Sequence, residues 1–489
     1  MKHTFPLLST LFTLLLLWAT SCKKTEDTPS PGGSTTNPGT KSSAKSITAF
    51  AFNGLNPTVT ATIDATAKTI SATVTAGMDV TKLVPTITVS DKATVSPASG
   101  VAQDFSKVVT YTITAEDGST QAYLTTVTVE KPVNNGTVYV GNLDGVLVAV
   151  DALTGDKKWS FTAGGAIEST PTVANGLVYV ASWDKKLYAL DAATGAKKWE
   201  FETNKIHPFA APMVANGIVY YGGDPYLYAL DALTGAKKWQ YQGDAVRTFD
   251  ASPTMVDGIV YASLRTFSPP VFGLDALTGS LKWRSVETDG SGILSSLSES
   301  SPAVANGFLY IGSEGDGVSA FDLKTGALKW RFTGASIANS SPTVTNGVLY
   351  IGSGVFGTNN KKLYALNATT GVKKWEYAID ESTAGYSSPI VANGIVYIGS
   401  GSTLYAVDVA SGAKKWDVKP EANTLIYSGP VVAGGYVYQG IGKKLYAFDA
   451  ATGAKKWEYD TGRTIDQSSP CVLAKDGTVY HAGISGMVQ

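Results

Sequence analysis

A nine-residue phrase that ends in tryptophan occurs eight times in this chain. The copies read DALTGDKKW (151–159), DAATGAKKW (191–199), DALTGAKKW (231–239), DALTGSLKW (275–283), DLKTGALKW (322–330), NATTGVKKW (367–375), DVASGAKKW (408–416) and DAATGAKKW (449–457). Their tryptophans lie 40 to 47 residues apart and account for eight of the ten in the chain. A repeat of this period that is built from short strands predicts a β-propeller with one blade per copy.

Each repeat contains four strand-length runs separated by turns of Asn, Asp and Gly. In residues 168–205 these runs are ESTPTV, LVYVAS, KKLYAL and KKWEFET. Asp and Asn bond to their own backbone and Gly accepts positive φ, so the ANG and D-A-x-T-G segments predict tight turns. We expect the repeated tryptophans to be structural rings that dock each blade against its neighbour. They are Trp159, Trp199, Trp239, Trp283, Trp330, Trp375, Trp416 and Trp457.

The phrase A-x-D-x-x-T-G-x-x-x-W resembles the repeat of the pyrroloquinoline-quinone (PQQ)-like β-propellers. That family includes quinoprotein dehydrogenases and the propeller lipoprotein of the outer-membrane barrel-assembly machinery. The resemblance covers residues 133–489 and implies an eight-bladed propeller there. Only two strands, at 136–142 and 146–152, precede the first phrase. We therefore expect the strand at 468–474 to complete the first blade and remove its open edge. Residues 477–489 then form a surplus strand without an assigned place.

The first 45 residues predict export and anchoring. Residues 1–21 carry Lys2 and His3 before an apolar run that is too short for a membrane span, which is typical of a signal peptide. The run ends in ATSC, which resembles the lipobox of bacterial lipoproteins, so we expect lipidation at Cys22 and a membrane anchor. An ordinary signal with an incidental cysteine is the alternative. Residues 22–45 are rich in Pro, Gly, Ser and Thr and predict a disordered tether.

Residues 46–132 predict a separate all-β module. Its runs alternate Thr and Val between turns, which fits an immunoglobulin-like β-sandwich. The phrases ITAFAFNGLNP, ATVSPASGVAQDFS and TYTITAEDGSTQAY resemble Ig-like domains near the N-terminus of bacterial surface lipoproteins. Such domains act as spacers or adhesion modules.

Composition excludes several functions. The formal net charge is −1 and there is no large basic cluster, which argues against a nucleic-acid partner. After processing only His207 and His481 remain, so no His-rich metal centre is expected. Cys22 and Cys471 are the two cysteines, and lipidation of the first would leave no disulfide within the chain.

A PQQ-dependent quinoprotein oxidoreductase is the alternative function that the resemblance suggests. Those enzymes carry a vicinal Cys–Cys disulfide over the cofactor, and this sequence has no such pair. We find no match to their calcium ligands or catalytic Asp, and the long insertions that build their active site are missing. We therefore predict no cofactor, no metal and no catalytic residue.

One face of the propeller is expected to bind. The turns after the first and third strands are nearly identical in every repeat, whereas the loops on the opposite face differ between blades. Variable loops on a rigid scaffold favour a binding surface, and neutral drift is the alternative. The residue three before each repeat proline also varies and enters the innermost strand. These channel-rim residues are Glu168, Phe209, Asp250, Glu299, Asn339, Tyr386, Tyr427 and Gln467. His207, Arg247 and Arg265 lie in neighbouring loops and could contact an anionic group.

The mixture of polar and aromatic rim residues suits a sugar or a peptide. A cation site made by the three carboxylates, or strand caps at a water-filled funnel, are the alternatives. The sequence thus predicts a non-catalytic outer-membrane lipoprotein, on the periplasmic face or the cell surface. Its propeller would bind or scaffold an envelope protein or an extracellular glycan or peptide.

Overall fold

The computed structural model describes residues 41–55, 58–74, 78–129, 136–203, 209–243, 248–264, 271–285, 300–313, 317–333, 335, 337, 339–354, 361–379 and 386–481. Within these ranges the regular structure consists of β-strands, and no helix is present.

The N-terminal domain is a β-sandwich, as predicted. Its strands are β1 (Ile47–Phe52), β2 (Val59–Thr60), β3 (Thr62–Asp64), β4 (Thr69–Val74), β5 (Thr86–Val89), β6 (Thr94–Ser96), β7 (Val109–Thr114) and β8 (Thr120–Val129). One sheet has the order β2-β1-β5 and the other β3-β4-β8-β7-β6, with β4 and β8 parallel. Alternate residues of β4 are buried, and they share one core with Phe50 and Tyr111, whose rings meet edge to face at 5.5 Å. The period-2 pattern of Thr and apolar residues therefore gives each sheet one inner and one outer face.

The rest of the described chain forms eight sheets around a channel. The innermost strands are β12 (Thr172–Ala174), β16 (Met213–Ala215), β20 (Thr254–Val256), β24 (Ala303–Ala305), β28 (Thr343–Thr345), β32 (Ile390–Ala392), β36 (Val431–Ala433) and β40 (Cys471–Leu473). The second strands are β9 (Thr137–Gly141), β13 (Leu177–Ser182), β17 (Ile218–Gly222), β21 (Ile259–Ser263), β25 (Phe308–Ser313), β29 (Val348–Ser353), β33 (Ile395–Ser400) and β37 (Tyr436–Ile441).

The outer half of each sheet carries the repeated phrase. The third strands are β10 (Val146–Asp151), β14 (Lys186–Asp191), β18 (Tyr226–Asp231), β22 (Val271–Asp275), β26 (Gly317–Asp322), β30 (Lys362–Asn367), β34 (Thr403–Asp408) and β38 (Lys444–Asp449). The outermost strands are β11 (Lys157–Thr162), β15 (Lys197–Glu202), β19 (Lys237–Gln242), β23 (Leu281–Arg284), β27 (Leu328–Phe332), β31 (Lys373–Ala378), β35 (Lys414–Val418) and β39 (Lys455–Asp460). We number the blades 1 to 8 by the order of their repeat tryptophans.

The turns of a blade follow from their residues, as blade 2 shows. Asn175 and Gly176 both have positive φ, 52° and 74°, and connect β12 to β13 as a two-residue hairpin of type I′. In the phrase itself, Oδ1 of Asp191 accepts hydrogen bonds from the backbone N–H groups of Ala193 and Thr194. A β-bulge in the strand pairing that follows leaves Lys198 as the extra residue, and its Nζ lies 3.1 Å from Oδ2 of Asp191.

The repeat tryptophans join neighbouring blades, as the sequence predicted. Each indole N–H donates to a backbone carbonyl of the following blade at 2.9–3.2 Å. The pairs are Trp159 to Ala192, Trp199 to Ala232, Trp239 to Ala276, Trp283 to Leu323, Trp330 to Ala368, Trp375 to Val409, Trp416 to Ala450 and Trp457 to Ala152. The last pair links blade 8 to blade 1, so the ring is closed and the eight-bladed propeller is confirmed.

Closure uses the C-terminal strand, and a further strand enters the channel. β40 pairs antiparallel with β9, which confirms that it completes blade 1. β41 (Val479–His481) then pairs with the free inner edge of β40 and contacts β12 and β36, the innermost strands of the two flanking blades. The described part of the segment that the sequence left unplaced, Val479–His481, therefore lies inside the channel.

Candidate functional site

The candidate site is a cavity of about 70 Å³ at one mouth of the central channel. It lies where the innermost strands begin, on the face that carries the blade-specific loops. Among the predicted rim residues, those that line it are Phe209, Asp250, Asn339, Tyr386, Tyr427 and Gln467. The other lining residues stand two positions later in each repeat: Thr170, Ala211, Ser252, Ser301, Ser341, Ser388, Gly429 and Ser469. Every blade thus contributes to the cavity.

The lower ring of the cavity is a belt of hydroxyl groups that links the blades. The backbone N–H of Ser252 donates to Oγ of Ser301 at 3.0 Å, and the N–H of Ser301 donates to Oγ of Ser341 at 2.9 Å. The same bond recurs from Ala211 to Ser252, Ser341 to Ser388, Gly429 to Ser469 and Ser469 to Thr170. Each hydroxyl that accepts such a bond keeps its own proton to donate. The belt can therefore offer O–H groups to carbonyl, hydroxyl or water oxygens in the channel.

The preceding residue in several repeats is a serine that anchors the strand within its own blade. Oγ of Ser169 accepts the N–H of Ala181 at 2.9 Å, and Oγ of Ser340 accepts that of Gly352 at 3.1 Å. Both serines are fully buried. The first serine of each Ser-Ser-Pro sequence therefore joins the innermost strand to the second strand of its own blade. The hydroxyl of the second serine accepts a hydrogen bond from the preceding blade.

One side of the mouth is aromatic. The rings of Tyr386 and Tyr427 meet edge to face at 5.8 Å, and both side chains are half-buried. Burial raises the pKa of the Tyr427 hydroxyl, and the nearby Asp466 carboxyl adds to that shift. Tyr427 is therefore a neutral group that combines an apolar ring face with a polar tip. Asp250 is 4% exposed, and one of its oxygens accepts a hydrogen bond from Thr248 at 2.7 Å.

Glu168 was expected on the rim, and it is not among the residues that line the cavity. It is 5% exposed and accepts a hydrogen bond from the indole N–H of Trp183, whose ring lies edge-on to Phe209 at 6.4 Å. It also shares a hydrogen bond with Asp466, and burial raises the pKa of the Asp466 carboxyl. A hydrogen bond between two carboxyl groups requires a proton on one of them. The two carboxyl groups are therefore neighbours, and burial disfavours the charged form of Asp466.

Several predicted positions fall outside the described residues: Cys22, Glu299, His207, Arg247 and Arg265. Their predicted roles stay predictions.

The opposite face differs in character. Its turns repeat from blade to blade, and the lysine directly before the tryptophan pairs with the aspartate that begins the phrase in seven repeats. In blade 4 these groups are Lys282 and Asp275, 3.2 Å apart, and the pKa of Asp275 falls to about 2 because backbone N–H groups and Lys282 hold its charged form. The lysines of these seven repeats thus form ion pairs within their own turns, and the charges of each pair compensate one another.

The described residues do not fit a PQQ and calcium site. No group of three His, Cys, Asp or Glu side chains that could hold a metal ion occurs among them. In the part of the chain that the structure describes, no helix is long and apolar enough to cross a membrane.

Comparison with known families agrees with this geometry. The chain contains a β-propeller of PQQ-like repeats, and it belongs to the family described as outer membrane protein assembly factor BamB, which matches residues 106–266, 206–292 and 270–486. Residues 47–129 match the domain described as SGBP, N-terminal. No curated protein matches the sequence.

Solved structures support the fold. BamB from Moraxella catarrhalis is 20% identical, with a TM-score of 0.52 over 66% of this chain and 93% of that one. The computationally designed Ika8 protein is 16% identical, with a TM-score of 0.51 over 64% and 95%. Dihydro-heme d1 dehydrogenase NirN is 14% identical, with a TM-score of 0.54 over 69% and 75%. At these identities the likeness extends to the fold alone.

Sequence reasoning missed three features of the site. The serine belt could have been found from the recurrence of Ser-Ser-Pro at the start of four innermost strands. Trp183 could have been noticed because it is one of two tryptophans outside the repeated phrase. Asp466 carried no comparable signal, because its partner Glu168 is distant in the chain.

Proposed function

We propose that this chain is a cell-envelope lipoprotein whose propeller binds a partner at the rim cavity and performs no catalysis. The observation that supports this proposal most is the difference between the two faces of the propeller. The upper part of the cavity is lined by a set of residues that changes around the ring, namely Phe209, Asp250, Asn339, Tyr386, Tyr427 and Gln467. The opposite face instead repeats one ion-paired turn in seven blades. Binding specificity resides in side chains that vary on a constant scaffold.

A glycan is the partner that the cavity chemistry favours. Tyr386 and Tyr427 offer aromatic faces for a sugar ring, while Asn339, Gln467 and the serine belt offer hydrogen bonds to hydroxyl groups. The SGBP-like N-terminal domain also supports this choice. A panel of neutral oligosaccharides tested by isothermal titration would establish it. We expect binding that Tyr427→Ala weakens at least tenfold.

A matched control lies on the other face of the same blade. Tyr436 is half-buried like Tyr427, but it begins β37 beside the Asp449 turn and its ring lies 5.9 Å from Nζ of Lys456. Tyr436→Ala should leave oligosaccharide binding unchanged. Equal loss in the two variants would place the binding site elsewhere or show a general defect in folding.

An envelope protein is the second candidate, and membership of the BamB family favours it. Cross-linking in intact cells, followed by affinity purification, distinguishes the two. A protein captured by the wild type and lost with Tyr427→Ala would support assembly rather than glycan binding.

The membrane anchor is proposed from Cys22 and the ATSC sequence. Metabolic labelling with a palmitate analogue should label the wild type and not Cys22→Ser. Protease treatment of intact cells then separates a surface-exposed propeller from a periplasmic one. Oxidation of alcohols or sugars after addition of PQQ and Ca²⁺ would contradict the non-catalytic proposal.

A further inference from the structure

A second cavity lies between the N-terminal domain and the propeller, on the repetitive face of blades 6 and 7. Its volume is about 590 Å³, which is large enough for a small organic molecule. The N-terminal domain contributes Leu55 and Met78, and the propeller contributes residues of both blades, among them Tyr350 and Val409. Because two domains form its walls, we call it the interdomain cleft. It is separate from the rim cavity, which lies on the opposite face.

The walls of the interdomain cleft are largely apolar. Val348 of β29, Val391 of β32 and Val409 line the propeller side. Leu55 and Met78 on the other side are half-buried and also pack against the core of the N-terminal domain. An apolar molecule in the cleft would therefore remove side chains of both domains from water, which favours binding.

Opposite charges face each other across the interface beside the cleft. Asp79 follows Met78, and hydrogen bonds from Thr81 lower the pKa of its carboxyl. The charge of Lys415, in the outermost strand of blade 7, lowers that pKa further. The attraction between Asp79 and Lys415 favours the arrangement of the two domains that encloses the cleft.

Lys374 is the one charged residue among the described residues that line the cleft. It stands directly before the repeat tryptophan of blade 6. In the other seven blades the lysine at this position lies 3.0–3.4 Å from the aspartate that begins the phrase. Blade 6 has Asn367 there, and its Oδ1 accepts the same hydrogen bonds of the turn, from the backbone N–H groups of Thr369 and Thr370. Asn367 carries no charge, and Lys374 makes no ion pair or hydrogen bond within the described part of the chain.

We propose that the interdomain cleft binds an organic anion with an apolar body, and that Lys374 is its counter-ion. A lysine ammonium has three donors, and its hydrogen bonds to anionic oxygens are charge-assisted. Sites for small molecules favour domain interfaces and combine apolar walls with a few polar groups that fix the orientation of the ligand. The asparagine of blade 6 keeps the turn and leaves its lysine available to such a ligand.

Fluorescence titration with 8-anilinonaphthalene-1-sulfonate tests the site, because this dye combines aromatic rings with a sulfonate. We expect saturable binding to the full chain. Lys374→Gln removes the charge, and Asn367→Asp restores the ion pair of the other blades, so each should weaken binding at least fivefold. The matched control is Lys238→Gln in blade 3, whose lysine is exposed like Lys374 but pairs with Asp231. This control should bind the dye like the wild type, and circular dichroism checks the fold of every variant.

Two further measurements separate the contributions of charge and of the N-terminal wall. Octanoate should displace the dye at least fivefold more effectively than 1-octanol, which has the same chain without the charge. Leu55→Ala should weaken dye binding at least threefold, because it shortens the wall on the N-terminal side.

Equal dye binding in the wild type, Lys374→Gln and Asn367→Asp would overturn the proposal. Equal displacement by octanoate and 1-octanol, or unchanged binding in Leu55→Ala, would also overturn it. None of these substitutions changes a residue that lines the rim cavity. Failure here therefore leaves the glycan proposal standing, and loss of glycan binding leaves this one standing.

Discussion

Gly195→Ala is expected to destabilise the propeller more than Gly176→Ala, although both glycines lie in blade 2 with the same backbone conformation. Their φ angles are 75° and 74°. A Cβ at Gly195 would lie 2.6 Å from Cε3 and 2.8 Å from Cδ2 of Trp159, whereas a Cβ at Gly176 would meet nothing within 4 Å. The pair therefore separates backbone strain from packing against the neighbouring blade.

The magnitude follows from two contributions. A left-handed conformation costs a residue with a Cβ about 1–2 kcal/mol, and both variants pay it. Gly195→Ala must also displace the Trp159 ring, and overpacking of this kind costs about 1–3 kcal/mol. The indole N–H bond to Ala192, 3.1 Å long, is weakened as well. We expect Gly195→Ala to lose about 1–3 kcal/mol more than Gly176→Ala.

Urea unfolding followed by tryptophan fluorescence measures this difference, because the midpoint shifts in proportion to the change in stability when the slope is unchanged. Coincident midpoints for the two variants would refute the claim that tryptophan docking joins the blades. A larger loss in Gly176→Ala would refute it more strongly.

Three further perturbations test other parts of the molecule. Burial lowers the pKa of His481 from 6.5 to about 4, so the folded state holds this ring neutral where the unfolded chain would protonate it. The free energy of unfolding should therefore fall by about 3 kcal/mol as the pH decreases from 6.5 to 4. Urea midpoints should show this fall in the wild type and not in His481→Phe. Cys471 is fully buried, and burial raises the pKa of its thiol, so iodoacetamide should modify it only after the protein unfolds. Rapid alkylation of the folded protein would contradict the placement of Cys471 beneath β41. Asp275→Asn should keep the turn, because Asn367 makes the equivalent turn in blade 6. The variant should lose the decrease in stability that protonation of the Asp275 carboxyl causes between pH 3.8 and about 2, which acid titration followed by circular dichroism measures.

The fold was largely predictable because the repeated phrase specifies three local constraints at once. Asp191 bonds the turn, Gly195 supplies positive φ and leaves room for an indole, and Trp199 docks on the next blade. Each constraint involves residues that recur at a fixed distance in the sequence. Blade number and closure followed from counting the copies.

The site was less predictable because its contacts cross between repeats. The repeat spacing predicted where Glu168 lies in its strand. The contacts of its carboxylate, however, are with Trp183 in the next turn and with Asp466, almost three hundred residues away in the sequence. The sequence could not place β41, because alternating apolar and polar residues identify a strand but not the sheet edge with which that strand pairs. The ion pairs of the lysines depend on a bulge that is visible only in the strand pairing.

The most direct test of partner binding at the rim is the dissociation constant for neutral hexasaccharides, measured by isothermal titration with three chains. These are the wild type, Tyr427→Ala at the cavity mouth and Tyr436→Ala on the opposite face. The account predicts binding to the wild type, at least tenfold weaker binding to Tyr427→Ala, and no change in Tyr436→Ala. Binding that is lost in Tyr436→Ala and retained in Tyr427→Ala would contradict it.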